Sequence, residues 1–565
     1  MRQAKQFAGR LNDQNALMIW SVIAVITFQF ILGLYAVALN LLFYANYGPF
    51  FDSLSYDNLL ANMQLNAQRD GTVAALSRAI YSSTVVYPWV LFAPFARFGI
   101  ASRAVGVWIQ IFTAAWMQLA IVFYFVKLRG RTWAESIVFS AAFVLIAAAF
   151  DSNGGLSDFR MDLLQYLLFV TVMATYLLAR KLQALGWWAL LGLTTGLLCL
   201  GRATSLVYIV PIFGVCATVD LIVGRQIRRR VMLRWLLASA VAAAVAGWFF
   251  ISHYGYLYFY YVVWNQDANA HLSLSKSVAH LRLAVNHIGI LLLVVLVLIA
   301  LHTCAQSLRD FRTGAERRLN WRPLLFSVVP LGYLVLSGSG LNPFVSIVGV
   351  GGIVLFLLDP LDASQIPLPR PLSALRASVL ILALGFNAAG GIAQNSWDVP
   401  TWMPRREGIR EVMQTMTTNV AAHADRPRRF SYAFDYTAGL NLEVIFNTMF
   451  FDQHIRFDKD GAAMIAGSQL VGVRLVPTSV QRLKLEDKEK IADIVQSADE
   501  RVDFLVTPAA GTELPMSVYE NRFSTEINRR LMLSGEWEQI AGPIEISPIE
   551  KVIVLHNRKR AADPE

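Results

Sequence analysis

Residues 17–44 read LMIWSVIAVITFQFILGLYAVALNLLFY, a stretch without a charged side chain. A helix needs about 20 apolar residues to cross the hydrocarbon core of a bilayer, so this stretch predicts a membrane-spanning helix. It is too long for the apolar part of a signal peptide and is expected to be retained. Similar runs follow, and together they predict about eleven spans. The predicted spans are 17–45, 104–126, 133–150, 162–179, 186–201, 204–224, 232–252, 286–304, 323–339, 341–358 and 377–394.

The composition of the whole chain supports the same class of protein. Of its 565 residues, 56% are hydrophobic and only 16% are charged, and the mean hydropathy is +0.47. An average soluble domain has about 25% charged residues, so a purely soluble protein, a disordered chain, a coiled coil and a disulfide scaffold are excluded. The net charge of +10 does not indicate nucleic acid, because the basic residues concentrate in short loops between apolar runs.

The distribution of Lys and Arg sets the predicted orientation. Loops on one side of the membrane, such as the run Arg225–Arg234, hold most of these residues, which places the N-terminus inside. With an odd number of spans, the chain after residue 397 then lies outside. The predicted fold is a polytopic α-helical membrane protein of about 11 transmembrane helices, N-in and C-out, with a C-terminal extracytoplasmic α/β domain.

Two domains are expected. Residues 1–396 form a transmembrane module whose long first outer loop, 46–103, predicts helices lying on the membrane surface. Residues 397–565 form an outer α/β domain, because helical periodicity there alternates with short β-like runs. The β-like runs are 430–434, 471–476, 502–506 and 552–555.

The first outer loop opens with Gly48-Pro49-Phe50-Phe51-Asp52-Ser53-Leu54-Ser55-Tyr56-Asp57-Asn58. Asp52 and Asp57 therefore lie close to the predicted bilayer face. A carboxylate there is well placed to take a proton from a hydroxyl whose co-substrate is held by the membrane. The alternative is that both residues cap a surface helix, since Asp is favoured at helix N-termini.

A long outer loop after the first span that opens with Phe51-Asp52-Ser53-Leu54-Ser55-Tyr56 resembles the GT-C superfamily of membrane glycosyltransferases, of the protein O-mannosyltransferase and lipid A aminoarabinose transferase type. The resemblance extends to the overall plan of spans and outer domain. It implies a polyprenyl-phosphate-linked sugar donor and Asp52 as the catalytic base. Asp57 is the second candidate, as an acid that orients the acceptor or as a plain helix residue, and Tyr56 is expected to bind substrate.

A short acidic loop, Asp151–Asp162, precedes the fourth span. The resemblance implies that Asp158, Arg160 and Asp162 bind sugar hydroxyls or position the acceptor. Asp158 and Asp162 are four residues apart, so a continuous helix would place them on one face. The alternative interpretation is that these acids interact favourably with the dipole of the following helix.

Outer-side cations are candidates for binding the departing lipid phosphate, whose negative charge is best met by preorganised positive groups. Snorkelling to lipid headgroups is the alternative role for such residues. The candidates are Lys276, Arg282, Arg202 and His280.

No cofactor and no metal ion is predicted, and a paired-carboxylate metal site in the acidic loop is left as an alternative without a further cluster to support it. The three cysteines, Cys199, Cys216 and Cys304, lie in apolar runs without metal-ligand spacing. The Gly-rich stretch at 349–352 also lies within an apolar run, where small residues allow membrane helices to pack closely.

The sequence thus favours an integral membrane glycosyltransferase, hexosyl- or pentosyl-specific, that inverts configuration at the transferred sugar. Its expected partners are the lipid-linked donor, a glycan, lipid or protein acceptor and membrane lipids, with no nucleic acid. Its expected location is a bacterial inner membrane, with the C-terminal domain in the periplasm. Two alternatives remain: a multi-span transporter or flippase, which would carry ionisable residues within its spans, and a non-catalytic cell-envelope scaffold.

Overall fold

The structure is a computed structural model. It describes residues 2–48, 51–151, 154–224, 227–259, 274–311, 319–337, 345–361, 370–394, 403–422, 429–434, 440–475, 488–509 and 521–562. The chain divides into two compact units, which we call the helical unit (1–37, 76–94 and 104–397) and the sheet unit (38–75, 95–103 and 398–565). The sheet unit thus contains two pieces of the first outer loop as well as the C-terminal region. The division at residue 396 stays a prediction.

Helices dominate the chain up to residue 394. In chain order they are α1 (Arg2–Asn46), α2 (Phe51–Asp70), α3 (Thr72–Tyr81), α4 (Tyr87–Ala96), α5 (Arg103–Arg129), α6 (Trp133–Ala141), α7 (Met161–Leu182), α8 (Leu185–Gly201), α9 (Ser205–Val223), α10 (Arg228–Ser252), α11 (Tyr254–Tyr258), α12 (Leu274–Ile288), α13 (Ile290–Phe311), α14 (Arg322–Ser337), α15 (Val350–Leu358) and α16 (Arg370–Gln394). Helix α7 is buried from Met161 to Ala179, so it lies at the centre of the helical unit.

Within the described residues, six helices are long and apolar enough to cross a membrane, or seven if a bent pair is one span. The six are Ala16–Asn46, Arg103–Arg129, Met161–Leu182, Ser205–Val223, Arg228–Ser252 and Ser373–Ala393. The bent pair is Val278–Ile288 and Ile290–Ala305, which meet at 85°. The predicted run 133–150 is interrupted, because α6 ends at Ala141 and a 3-10 helix follows at Ala147–Phe150. The helical fold is confirmed, whereas the count of eleven spans stays a prediction.

Helices α8 and α10 pack closely through two glycines on one face of α8. A Cβ atom at Gly192 would lie 2.4 Å from the carbonyl oxygen of Ala238, and one at Gly196 would lie 2.6 Å from the Cβ of Val245. Small residues four apart let two helix backbones approach each other in a membrane. The glycines therefore set the distance between these helices.

Replacing Gly192 by Val is expected to lower the free energy of unfolding by about 1–3 kcal/mol, because the added methyl groups overpack this contact. The measurement is thermal unfolding of the purified protein in detergent. Gly214→Val in α9 is the matched control, since nothing lies within 4 Å of a Cβ atom there. Equal effects of the two substitutions would show that the α8–α10 distance does not depend on Gly192.

The sheet unit is built around a six-stranded sheet in the order β2-β3-β1-β4-β6-β5. Its strands are β1 (Arg429–Phe434), β2 (Ala463–Ile465), β3 (Ser468–Gly472), β4 (Phe504–Pro508), β5 (Trp537–Ser547) and β6 (Glu550–Asn557). Strands β3, β1 and β4 are parallel neighbours, and β2, β6 and β5 pair antiparallel at the two sides. The predicted β-like runs 430–434, 502–506 and 552–555 correspond to β1, β4 and β6. The run 471–476 overlaps β3 at only two residues, and β2 and β5 were not predicted.

Helices cover both faces of this sheet, as its apolar residues on both faces require. They are α17 (Arg406–Ala422), α18 (Leu442–Phe451), α19 (Lys488–Arg501) and α20 (Asn521–Leu533), followed by the short α21 (Arg558–Ala562). Helices α17 and α18 pack in one apolar core, and α19 and α20 pack in a second one on the opposite face.

Helix α2 of the first outer loop belongs to the core formed by α17 and α18. Leu54 is buried among the apolar residues of that core, and α2 packs directly on α18. At the far end of α2, the guanidinium of Arg69 donates to the carbonyl oxygen of Lys459. The helix that begins with the Asp52 motif is therefore an integral part of the sheet unit.

Candidate functional site

The motif singled out in the sequence forms the first turns of α2. Asp52 is the second residue of this helix, and its side chain lies outside the described part of the structure. Tyr56 is half-buried and follows Asp52 by four residues, so the two share one face of the helix. Asp57 lies on a different face and is only 2% exposed. The two carboxylates of the motif thus occupy different positions on α2.

The buried face of α2 lies beside Arg103, the first residue of α5. The guanidinium binds both carboxylate oxygens of Asp452, at 2.6 and 2.9 Å. Its Nε and Nη2 also donate to Oδ1 of Asn447, at 3.1 and 2.6 Å. The rings of Tyr44 and Phe451 cover the guanidinium at 4.6 and 5.2 Å from their centroids. Arg103 is therefore held in one position by a bidentate ion pair, an amide and two aromatic rings.

Two residues of α2 connect to this guanidinium. The negative charge of Asp57 acts on Arg103 directly through space. Asn58 accepts a 2.9 Å hydrogen bond from Nδ2 of Asn447 and donates a 3.0 Å bond to the carbonyl oxygen of Glu443. Asn447 thus links Asn58 of α2 to the guanidinium of Arg103.

Arg406 at the start of α17 binds the same carboxylate as Arg103, with Nη2 at 2.5 Å from Oδ1 of Asp452. Its Nη1 donates to the carbonyl oxygen of Tyr44 at 2.7 Å. Arg103, Arg406 and Asp57 are buried, and the side chain of Asp452 is 10% exposed. The two positive and two negative charges balance each other, which is the condition under which buried charges are tolerated. We call this group the Arg103 cluster, consisting of Arg103, Arg406, Asp57, Asp452 and Asn447.

Sequence reasoning missed most of the Arg103 cluster. Asp452 lies 349 positions after Arg103, and no spacing pattern connects residues so far apart. The available signal was a charged residue at the head of an apolar span, where an arginine is costly unless it has a partner.

The acidic loop of the helical unit forms ion pairs with neighbouring arginines. Arg160 Nε lies 2.8 Å from Oδ2 of Asp158, and Arg202 Nη1 lies 2.5 Å from Oδ1 of Asp162. The second pair forms because residues 183–184 join α7 and α8 as an antiparallel hairpin, which brings the start of α7 next to the end of α8. The expected common helical face of Asp158 and Asp162 is wrong, since α7 begins only at Met161.

Asp158 also organises the loop that contains it. Its Oδ2 accepts a 2.7 Å hydrogen bond from the backbone N–H of Gly154, and its carbonyl oxygen accepts a 2.8 Å bond from Nε2 of Gln110. The structure thus brings Asp158, Arg160, Asp162 and Arg202 together as two buried or half-buried ion pairs. Among the residues described, no group of three or more His, Cys, Asp or Glu side chains could hold a metal ion.

Three of the predicted phosphate-binding residues lie on α12. His280 is buried and Arg282 is exposed on the opposite face, while the side chain of Lys276 lies outside the described residues. Lys276 precedes His280 by one helical turn and shares its face. Helix α12 packs against the 3-10 helix Ala147–Phe150 that leads into the acidic loop.

The C-terminal end of α12 is fixed by two polar side chains. His287 Nε2 lies 2.9 Å from Oγ of Ser346, and Nδ2 of Asn387 donates to the carbonyl oxygens of Leu145 and Ile288, at 2.8 and 3.1 Å. These bonds connect α12 to the segment between α6 and the acidic loop and to α16.

A carboxylate at the C-terminal end of α9 joins three helices of the helical unit. Asp220 Oδ1 lies 3.1 Å from Nε of Arg180 and 3.0 Å from Nη2 of Arg322, and its Oδ2 accepts a 3.4 Å bond from the hydroxyl of Tyr176. We call this the Asp220 cluster.

A second carboxylate, at the C-terminal end of α15, connects α15 to α5 and to the segment before α14. Asp359 Oδ2 binds Arg129 Nε at 2.5 Å and Asn320 Nδ2 at 3.1 Å, and it accepts a hydrogen bond from the hydroxyl of Tyr124. We call this the Asp359 cluster. The charged residues of both clusters lie at or next to helix ends that the sequence predicts to face inside.

Sequence comparisons give no relatives: no family model matches the chain, and no curated protein matches it. Solved structures do match. The chain is similar to the crystal structure of ArnT from Cupriavidus metallidurans bound to undecaprenyl phosphate, with a TM-score of 0.52 and 10% identity over 96% of this chain and 99% of that chain. It also matches the cryo-EM structure of the arabinofuranosyltransferase AftD from Mycobacteria, with a TM-score of 0.44 and 14% identity over 89% of this chain and 39% of that one, a similarity too low to support an inference. The resemblance predicted from the sequence is thus confirmed at the level of the fold: the chain has the fold of ArnT.

Proposed function

We propose that this chain is an integral membrane glycosyltransferase that moves a sugar from a polyprenyl-phosphate donor to an acceptor hydroxyl, with inversion at the anomeric carbon. The observation that carries the proposal is the match to ArnT over nearly the full length of both chains. Fold alone does not define function, so the proposal depends equally on the residues that this chain presents.

Asp52 is the proposed general base. Its carboxylate takes the proton of the acceptor hydroxyl while the hydroxyl oxygen bonds to the anomeric carbon and the bond from that carbon to the phosphate oxygen breaks. Polyprenyl phosphate leaves with the bonding electrons. The placement of Asp52 in the first turn of α2, a helix fixed in an apolar core through Leu54, supports this role because a base must be held within hydrogen-bond reach of its proton.

Residues of the helical unit are proposed to handle the donor. Lys276, Arg282, His280 and Arg202 would stabilise the departing phosphate, and preorganised cations are effective because they need not reorganise as charge develops. Asp158, Arg160 and Asp162 would bind sugar hydroxyls or position the acceptor, and Tyr56 of the sheet unit would contact substrate. The ion pairs that the acidic loop forms, one internal and one with Arg202, support a positioning role, because each charged group is already fixed by its partner.

The donor class rests on ArnT, whose structure contains undecaprenyl phosphate. A lipid of this kind would place the sugar at the membrane surface and confine one substrate, which reduces the entropy cost of bringing donor and acceptor together. Hexosyl and pentosyl donors are both compatible with this chemistry, and the acceptor is a glycan, a lipid or a protein.

The Asp220 and Asp359 clusters disfavour the transporter alternative. Alternating access needs helices that separate at each side of the membrane in turn. Two partly buried carboxylate–arginine clusters join α7, α9 and α14 at one site and α5, α15 and the segment before α14 at the other. Separating the helices on the side of the membrane where these clusters lie would expose or break the ion pairs, at a substantial cost in free energy. A single-sided enzyme needs no such opening.

We further propose a bacterial inner-membrane location with about 11 spans, the N-terminus inside and residues 397–565 in the periplasm. The concentration of Lys and Arg in alternate loops supports this orientation. The six or seven apolar helices within the described residues are those of a multi-pass membrane protein.

The test is turnover by the purified protein in liposomes with a panel of hexosyl and pentosyl polyprenyl phosphates and a membrane glycan extract. We expect free polyprenyl phosphate to accumulate with at least one donor and not in protein-free liposomes. Absence of release with every donor would contradict the proposal. Movement of an intact donor between leaflets would favour the flippase instead.

A further inference from the structure

The Arg103 cluster connects the first outer loop to the C-terminal part of the chain. Asp57 and Asn58 belong to α2, Asn447 to α18, Asp452 directly follows α18, and Arg406 begins α17. Arg103 binds residues of the C-terminal region and interacts electrostatically with Asp57 of α2. Its five N–H donors form a rigid fork, which suits such a junction better than a flexible ammonium group does. The cluster thus lies where α2 meets the helices of the C-terminal region.

We propose that Arg103 is a positioning residue for catalysis: it fixes the first turns of α2, the segment that contains Asp52, against α18. This inference rests on the proposed function for its catalytic consequence. Asp57 then acts as the anionic partner of Arg103 on α2, and proton transfer is left to Asp52.

The geometry of the cluster supports this division of roles. Asp57 is 2% exposed, so its carboxylate is withdrawn from solvent and interacts electrostatically with Arg103, whereas a base must meet an acceptor hydroxyl. Asp52 lies five residues earlier, about 140° away around the helix axis. A small rotation of α2 that loosened Asp57 would therefore also displace Asp52, and a displacement of about 1 Å can cost up to a hundredfold in rate.

The experiment combines kinetics with a measurement of helix position. Arg103→Met, Arg103→Lys and a control, Arg97→Met, are compared in liposomes for kcat and for the KM of the donor. Arg97 is an exposed arginine of the same loop. To measure the position of the helix, spin labels are attached to Ser55→Cys on α2 and Asp493→Cys on α19 in a chain without its native cysteines. The distribution of distances between the two labels is then measured by pulsed electron paramagnetic resonance.

We expect Arg103→Met to lower kcat by about tenfold to a hundredfold with little change in KM, and to broaden the distance distribution. Arg103→Lys keeps the charge, so it should restore part of kcat and narrow part of the broadened distribution. Arg97→Met should match the wild type. An unchanged distribution with an unchanged rate in Arg103→Met overturns the inference. A rise in KM alone also overturns it, because it would make Arg103 a donor-binding group.

The two proposals fail separately. If the wild type cleaves no donor, the proposed glycosyl transfer is overturned, while the distance distributions still decide whether Arg103 fixes α2. If the wild type turns over and Arg103→Met neither slows it nor moves α2, only the positioning role is lost.

Discussion

Asp52→Asn is expected to lower kcat by at least about a hundredfold, the range over which a positioned general base contributes. The amide has nearly the size and shape of the carboxylate but cannot accept the proton of the acceptor hydroxyl. The residual activity should also lose the acidic limb of its pH profile, because that limb reports protonation of the base. Release of polyprenyl phosphate in liposomes measures both effects.

Asp70→Asn is the matched control for this prediction. It makes the same substitution at the other end of α2, where Asp70 forms an exposed ion pair with Arg69 at 3.0 Å, and exposed pairs contribute little to stability. Its activity should equal that of the wild type. Equal activity of Asp52→Asn and wild type would remove Asp52 as the base, and Asp57 and Asp158 would be the next carboxylates to test.

Asp220→Asn is expected to lower the free energy of unfolding by about 2–4 kcal/mol, somewhat less than the cost of removing one partner of a fully buried ion pair, because the Asp220 side chain is 10% exposed and that of Arg180 is 31% exposed. The substitution leaves the guanidiniums of Arg322 and Arg180 facing an amide in place of their shared carboxylate. Three helices of the helical unit lose their common anchor. The midpoint of thermal unfolding in detergent measures the change.

Asp493→Asn on the exposed surface of α19 is the control, and it should stay within about 0.5 kcal/mol of the wild type. A stability of Asp220→Asn equal to that of the control would mean that the cluster does not hold these helices together. The argument against alternating access would then depend on the Asp359 cluster alone.

Local sequence was sufficient for features that depend on neighbouring residues. The run 17–44 predicts α1 because its length and lack of charge determine the helix. The pairing of Asp162 with Arg202 could also have been predicted, since a two-residue connection forces α7 and α8 to run antiparallel.

Features formed by distant residues were not accessible in the same way. The Arg103 cluster joins positions hundreds of residues apart, and only the folded chain brings them together. Strand β5 was hidden because Gly542 and Pro543 and several register shifts against β6 interrupt its alternation. The run 133–150 contains no glycine or proline that would predict the end of the helix at Ala141. Tertiary packing therefore determines where this helix ends.

The most direct measurement uses a donor labelled separately on its sugar and on its lipid, incubated with the wild-type protein in liposomes and a glycan acceptor. We predict that the two labels separate, the sugar label passing to the acceptor and the lipid label remaining in the membrane as polyprenyl phosphate. Labels that stay together on one molecule, on whichever side of the bilayer they are found, would contradict glycosyl transfer.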